Sequence, residues 1–287
     1  MTPAEKRYLV IAGQAKAGTT SLFDWLSAHP DICASRFKEA RFFLDEGYPL
    51  ARPAQFDGTN LDAYLDLFDC PDRRVLMEAS PDYLACATPL EVAHLLPRAR
   101  IVILVRPALE RLQSAYGFFK QRGLLARDLG FDDWIRLQAE TPVAADTPVA
   151  LRALDHCRPH YLERWRTAFG ERLLEVDFAD LRRDPEAVLA RVIAHAGLDP
   201  SPHVTQDLSP SNRTGTARSA ATARLYHRLR TQISHLVGNR KGLRAALAPL
   251  SRLLRRAVEA SGKPDKVEVS PEILELINAQ ENGGGVS

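Results

Sequence analysis

The chain has 287 residues, of which 45% are hydrophobic and 26% charged, the make-up of a globular protein with one large domain or two small ones. Its 38 Lys and Arg exceed its 36 Asp and Glu by only two, which gives no ground for a nucleic-acid partner. No stretch approaches the roughly 20 apolar residues of a membrane span, and the apolar run near the start is too short for a secretory segment, so a cytoplasmic protein is expected.

The first element is a strand over Tyr8 to Ala12. It leads into Gly13-Gln14-Ala15-Lys16-Ala17-Gly18-Thr19-Thr20-Ser21 and then a helix carrying Leu22, Trp25 and Leu26. Strand, glycine-bounded loop and helix start outline a phosphate cradle, because backbone N–H groups converge there at the positive end of a helix dipole. Gly13 and Gly18 keep the spacing of the nucleoside-triphosphate loop G-x-x-x-x-G-K-[ST]. Thr19, however, stands where that motif has its lysine, and Lys16 lies inside the loop. Alone, the glycine pair also fits a plain strand-to-helix turn. One of the three hydroxyls is expected to cap the helix, and three suit a ligand with many acceptor oxygens.

About 20 residues on comes Lys38-Glu39-Ala40-Arg41-Phe42-Phe43. The two phenylalanines are expected to anchor the segment in the core and hold its polar head near the sheet's ligand edge. Glu39 also fits a surface acid paired with Lys38, a contact worth little; partly desolvated beside the phenylalanines, it would instead have a raised pKa, useful for taking a proton from a hydroxyl. Helical spacing continues over Leu61 to Phe68, followed by a short strand at Val75 to Glu78. The β-branched run Arg100 to Val105 reads as a strand, with Pro107 well suited to open a helix over Ala108 to Gln121. Further helices are expected at Phe131 to Gln138 and, as one long element with Leu151, Leu154, Tyr161, Leu162 and Trp165 in the core, at Ala150 to Phe169. Residues Ala126 to Pro148, with Pro142 and Pro148, are expected to be a mobile connection near a pocket mouth. Leu173 to Phe178 reads as another strand, and Pro185 to Ala196 as a helix ended by Gly197.

Short apolar strands alternating with helices predict an α/β fold, a parallel β-sheet flanked by helices. Ligands then collect beyond the carboxyl ends of the strands, where the Gly13–Gly18 loop, Glu78 to Pro81 and Arg106 all fall. From Arg218 to Val258 there is no acidic residue, while nine Arg and Lys from Arg224 to Arg256 fall among Leu, Ala and Ile. That pattern suits a solvated helical face, an anionic-substrate wall, or contact with acidic partners or a membrane surface. Cys33, Cys70, Cys86 and Cys157 lie far apart without a C-x-x-C pair and are expected to be free, buried thiols.

Three motifs taken together resemble, in order and spacing, the sulfotransferases that use 3′-phosphoadenosine 5′-phosphosulfate (PAPS). They are Lys16-Ala17-Gly18-Thr19-Thr20-Ser21-Leu22, Lys38-Glu39 with Phe42-Phe43, and Val105-Arg106-Pro107 with Arg111, Ser114 and Tyr116. The likeness extends through Tyr161 to Trp165 and Asp180 to Pro185 to Asn212–Ser219, covering roughly residues 8–219. The resemblance implies a single sulfotransferase domain of the P-loop-containing nucleotide-hydrolase-like fold over residues 1–287, with a basic helical C-terminal part at about 220–280. It further implies that Gln14 to Ser21 hold the 5′-phosphosulfate, with Lys16 on the bridging oxygen and the transferred group. Arg106 and Ser114 would bind the 3′-phosphate, and Arg218 would close over it. Glu39 matches the general base of the carbohydrate-type branch.

The expected cosubstrate is therefore PAPS, leaving as adenosine 3′,5′-bisphosphate, with no metal. The acceptor would be a small molecule or carbohydrate, attacked through a hydroxyl or, as second choice, an amine. Two positions depart from the family pattern. Ala79 stands where a second stabilising lysine is common before Ser80-Pro81, leaving Lys16 and Lys38 as the ammonium groups, and Arg41 replaces a common histidine. The same residues also admit two other functions. One is an ATP-dependent kinase with a degenerate loop and Asp177 as its Mg²⁺-side acid, and the other is a non-catalytic protein binding anionic surfaces through the basic segment.

Overall fold

The computed structural model describes residues 2–200, 208, 216–217, 259–260 and 267–283. Arg218 and the basic segment 218–258 lie outside these residues. Five parallel strands form the sheet: β1 (Tyr8–Gly13), β2 (Ile32–Ala34), β3 (Val75–Ala79), β4 (Ala99–Val105) and β5 (Leu173–Asp177), in the order β2-β3-β1-β4-β5. All six residues of β1 are buried, as a central parallel strand covered on both faces requires. The helices are α1 (Thr19–Leu26), α2 (Asp62–Leu65), α3 (Thr88–Glu91), α4 (Ala108–Gln121), α5 (Phe131–Glu140), α6 (Pro159–Phe169), α7 (Phe178–Arg183), α8 (Pro185–His195) and α9 (Pro271–Glu281). None of them is long and apolar enough to cross a membrane.

Side-chain alternation along the strands divides the core. Tyr8, Val10, Ile101 and Ile103 face a layer containing Phe42, Phe43, Tyr64 and, from α6, Trp165 and Phe169. Leu9, Ile11, Val102 and Leu104 face α1 and α8 through Leu22, Leu26, Val188 and Val192. A third cluster joins Leu112 and Phe119 of α4, Trp134 and Ile135 of α5, and Ile273 and Ile277 of α9. Each of those two isoleucines contributes about 1.5–3 kcal/mol by burial. Glu281 of α9 also accepts the backbone N–H of Ala108 (3.0 Å), supplying the first turn of α4 with a partner that Pro107 cannot provide. The C-terminal helix therefore carries glutamates and no basic residue, and it packs into the main body.

Four expectations are corrected. Ala150 to Phe169 is not one helix: 3₁₀ turns at Val149–Leu151 and Asp155–Cys157 precede α6, which starts at Pro159. Proline lacks the N–H an interior position needs but suits the first turn. Residues Ala126 to Pro148 are not a loose connection, because α5 occupies their centre. The turn beyond it is clasped by Arg152, whose guanidinium donates to the carbonyls of Ala144, Ala145 and Thr147 and lies over the Tyr48 ring. Within Leu61 to Phe68, only α2 is helical. Finally, Cys33 and Cys70 form a disulfide, with Cα atoms 5.7 Å apart, while Cys86 and Cys157 are free and buried. The bridge joins β2 to the turn beyond α2, next to the Ser35–Phe68 β-bridge, so it closes the stretch of chain that carries Lys38 and Glu39.

Candidate active site

The Gly13–Gly18 loop is fastened across the ends of the two central strands. The N–H of Gln14 donates to the Leu104 carbonyl (2.9 Å), and its side-chain oxygen accepts the N–H of Arg106 (3.0 Å). This is where the strand order reverses, the usual ligand crevice of an open parallel sheet. Gly18, at φ +90°, occupies the cap position of α1, and no side chain caps the helix. The expected hydroxyl cap is therefore absent, and the first-turn amides of Thr19, Thr20 and Ser21 have no intrahelical carbonyl to meet. Amides so placed, together with the helix dipole, are suited to an anion.

Gly18 is required twice over. Its backbone lies in the left-handed region, and a Cβ would stand 2.7 Å from Leu181 Cδ2 of α7 and 3.3 Å from the Phe178 ring. Gly18→Ala is expected to destabilise the protein by about 2–4 kcal/mol, from backbone strain plus overpacking, and to weaken nucleotide binding. Denaturant unfolding and titration calorimetry check both; wild-type values would mean that the cradle yields to a methyl group.

Lys16, at φ +67°, places its ammonium 4.0 Å from the centroid of the Phe118 ring, over which the Arg122 guanidinium also lies, at 4.4 Å. Burial, then the charge of Arg122, bring its pKa from 10.5 down to about 8, with Glu39 acting in the opposite sense. Arg106 donates from Nη1 to the Lys16 carbonyl (2.7 Å), pairs through Nε with Glu110 (3.3 Å) and stacks over Phe178 (4.4 Å). Ser114 is half-buried on α4, on the same helical stripe as Phe118 and Arg122.

The acidic segment is fixed to the end of β3. Glu39 donates its N–H to the Ala79 carbonyl (2.8 Å), and its carboxylate, one-third exposed, lies between Lys38 Nζ (3.0 Å) and Arg41 Nη2 (2.5 Å). Desolvation pushes its pKa up, but the charges and hydrogen bonds of Lys38 and Arg41 outweigh it and hold the group below the ordinary 4.5. The expected raised pKa is thus corrected: Glu39 is ionised at neutral pH, because the basic residues on either side of it in sequence turn back onto it. Phe42 and Phe43 are buried as anticipated, packed edge-to-face with centroids 4.9 Å apart. Ala79 is fully buried and leaves Lys16 and Lys38 as the ammonium groups of this region.

The structure thus brings Lys16, the loop amides and Arg106 together, with Lys38 and Glu39 close enough to act electrostatically on Lys16. Arg218 lies outside the described residues. Asp177, the acid assigned to a kinase, caps α7 by accepting the Ala179 N–H (2.6 Å). Sequence reasoning missed Phe118 and Arg122, although both follow from Ser114 in steps of four along a helix it had placed. It placed Glu78 at the ligand edge but missed that its carboxyl is buried, pushed up to about 7 by desolvation against the hydrogen bonds of Tyr64, Ser80 and Tyr83.

A profile of the sulfotransferase family matches residues 61–202, a span that starts beyond both the loop and Glu39. Human bifunctional heparan sulfate N-deacetylase/N-sulfotransferase 2 is 30% identical over 216 residues, 69% of this chain and 23% of that protein. Its human counterpart 3 is 28% identical over 225 residues, 73% of this chain and 24% of the relative. The chain thus spans about a quarter of the length of these curated relatives. Among solved structures, a sulfotransferase from Alicyclobacillus acidocaldarius shares the fold with a TM-score of 0.58 at 25% identity, covering 82% of this chain and 95% of its own.

Proposed function

The chain belongs to the sulfotransferase family, and from that premise we propose that it moves the sulfuryl group of PAPS to a hydroxyl of a carbohydrate or natural-product acceptor. The observation that carries this reading is the loop itself: its lysine lies inside the cradle, at Lys16, and Thr19 fills the place of the nucleoside-triphosphate lysine. Sulfuryl transfer passes through a loose, in-line transition state, so positioning and electrostatics dominate, as in phosphoryl transfer. The bond from sulfur to the bridging phosphate oxygen breaks as the bond to the acceptor oxygen forms, and the acceptor proton passes to Glu39. Lys16 neutralises the charge growing on the leaving oxygen. Lys38 faces the sulfuryl oxygens, and Arg106 and Ser114 hold the 3′-phosphate. A sulfuryl group carries less charge than a phosphoryl group, so this chemistry does not demand a divalent metal.

The likeness to N-sulfotransferases supports an amine as the second acceptor class. An amine arrives largely as an ammonium ion, and Lys16, Lys38 and Arg41 repel it, which is why a hydroxyl is preferred here. Calorimetry separates this function from the kinase. Adenosine 3′,5′-bisphosphate should bind without metal, and Arg106→Ala should weaken it about 10- to 100-fold, the worth of a charged hydrogen-bonded contact. Mg²⁺-dependent ATP binding in place of that affinity would overturn the reading, and unchanged affinity in Arg106→Ala would remove Arg106 from the 3′-phosphate.

A further inference from the structure

Glu78, on β3, is the only acidic side chain fully buried among the described residues. Among the described residues no lysine or arginine forms an ion pair with it. Three hydroxyls donate to it instead: Tyr64 Oη (2.7 Å), Ser80 Oγ (3.0 Å) and Tyr83 Oη (3.1 Å). Burying a carboxyl away from any cation is costly, and the hydrogen-bond directions show what it achieves. A hydroxyl has one proton, so donating it to Glu78 leaves the oxygen to accept. Ser80 Oγ accepts the N–H of Arg41 (2.9 Å), and Tyr83 Oη accepts the N–H of Phe43 (3.1 Å).

Those two amides lie just after Glu39, on the C-terminal side of the turn that presents it. Glu39 and Arg41 both have left-handed backbones, at φ +65° and +59°. Non-glycine residues hold that conformation at about 1–3 kcal/mol each, and only where the surroundings over-determine it. When ionised, the Glu78 carboxylate only accepts, so that form fixes the direction of both relays and holds the strained turn.

We propose that Glu78 is a positioning residue for Glu39, acting through the Ser80 and Tyr83 hydroxyls on the backbone of residues 39–43. This rests on Glu39 being the proton acceptor of sulfuryl transfer. In Glu78→Gln, the amide nitrogen donates where the carboxylate accepted, and the hydroxyl facing it loses its acceptor.

The test is a double-mutant cycle combined with amide hydrogen exchange on the full chain. Glu78→Gln should lower kcat about 10- to 100-fold, the usual cost of removing the partner that orients a functional group, with the Kd of adenosine 3′,5′-bisphosphate within twofold of wild type. In a Glu39→Gln background, the same change should lower kcat less than twofold, since there is no longer a base to misplace. The Arg41 and Phe43 amides should exchange at least about tenfold faster while those of β1 and β4 do not. Tyr83→Phe, which breaks one relay only, should show the Phe43 effect alone and serves if Glu78→Gln does not fold. Unchanged kcat, an equal loss in both backgrounds, or unchanged exchange at residues 41 and 43 overturns the proposal. The exchange arm needs no turnover, so it decides the role of Glu78 in the turn even if wild type transfers no sulfuryl group.

Discussion

Lys16→Ala is expected to lower kcat by about 10²-fold or more, the range seen when one preorganised donor to a developing charge is lost. The ammonium lies inside the loop, over Phe118, where the proposed transfer would build negative charge as the bond to sulfur breaks, and no lysine at Thr19 or Ala79 can replace it. The effect belongs in kcat, because charge on the leaving oxygen is larger in the transition state than in the ground state. The pH profile carries a second signature. Burial and Arg122 bring the Lys16 pKa to about 8, so kcat/KM should fall as pH rises through 8 and the lysine loses its proton. Lys16→Arg, which stays charged, should lack that limb, whatever its rate. The stability sign is also fixed: a lysine whose folded pKa lies below its unfolded one opposes folding most fully below the folded pKa. At pH 7 without nucleotide, Lys16→Ala should therefore not lower Tm. A normal kcat, or a fall in Tm that accounts for the lost activity, would remove Lys16 from the role.

Glu39→Gln is expected to lower kcat by about 10²- to 10⁴-fold, the span attributed to a positioned proton acceptor. The glutamine keeps size and hydrogen bonding but cannot take the proton. Nucleotide affinity should hold or tighten slightly, because Lys38 and Arg41 lose the carboxylate that partly neutralises them. Those same cations depress the Glu39 pKa, so the acid limb of kcat/KM should lie below the ordinary carboxylate value of 4.5. Ionised Glu39 stabilises the fold above its unfolded pKa, and that contribution fades as pH falls through the folded one. A wild-type rate in Glu39→Gln would show that another group takes the proton.

The parts of this molecule legible from sequence are those set by local rules. β4 and α4 could be placed because a β-branched apolar run, Pro107 and helical spacing all act within a few residues, and the Phe42–Phe43 anchor followed from two adjacent aromatics. The loop was readable because glycine spacing and a helix start determine where amides point. What escaped depends on meetings across the fold. The Cys33–Cys70 bridge joins residues 37 apart in sequence, which no local pattern announces. The expected raised pKa of Glu39 failed because pairing with Lys38 and burial were read as alternatives, whereas both occur and Arg41 joins them across the turn. The long helix through Ala150 to Phe169 was a local error, since Pro159 sits where a helix starts. Glu78 could be placed at the sheet's ligand edge but not given a role, because a single acid at a strand end carries no further signal until Tyr64 and Tyr83 are seen to converge on it. The apolar stripe of α9 was hidden behind the composition of the basic segment before it.

The most direct test of the proposed activity is a metal-free transfer assay with sulfur-labelled PAPS against sugars, phenols, aliphatic alcohols and amines, reading both whether label moves and to which atom. Label is expected on a hydroxyl acceptor, with chelator present and with the rate lost in Glu39→Gln. No transfer to any of these classes, together with Mg²⁺-dependent ATP binding, would contradict it.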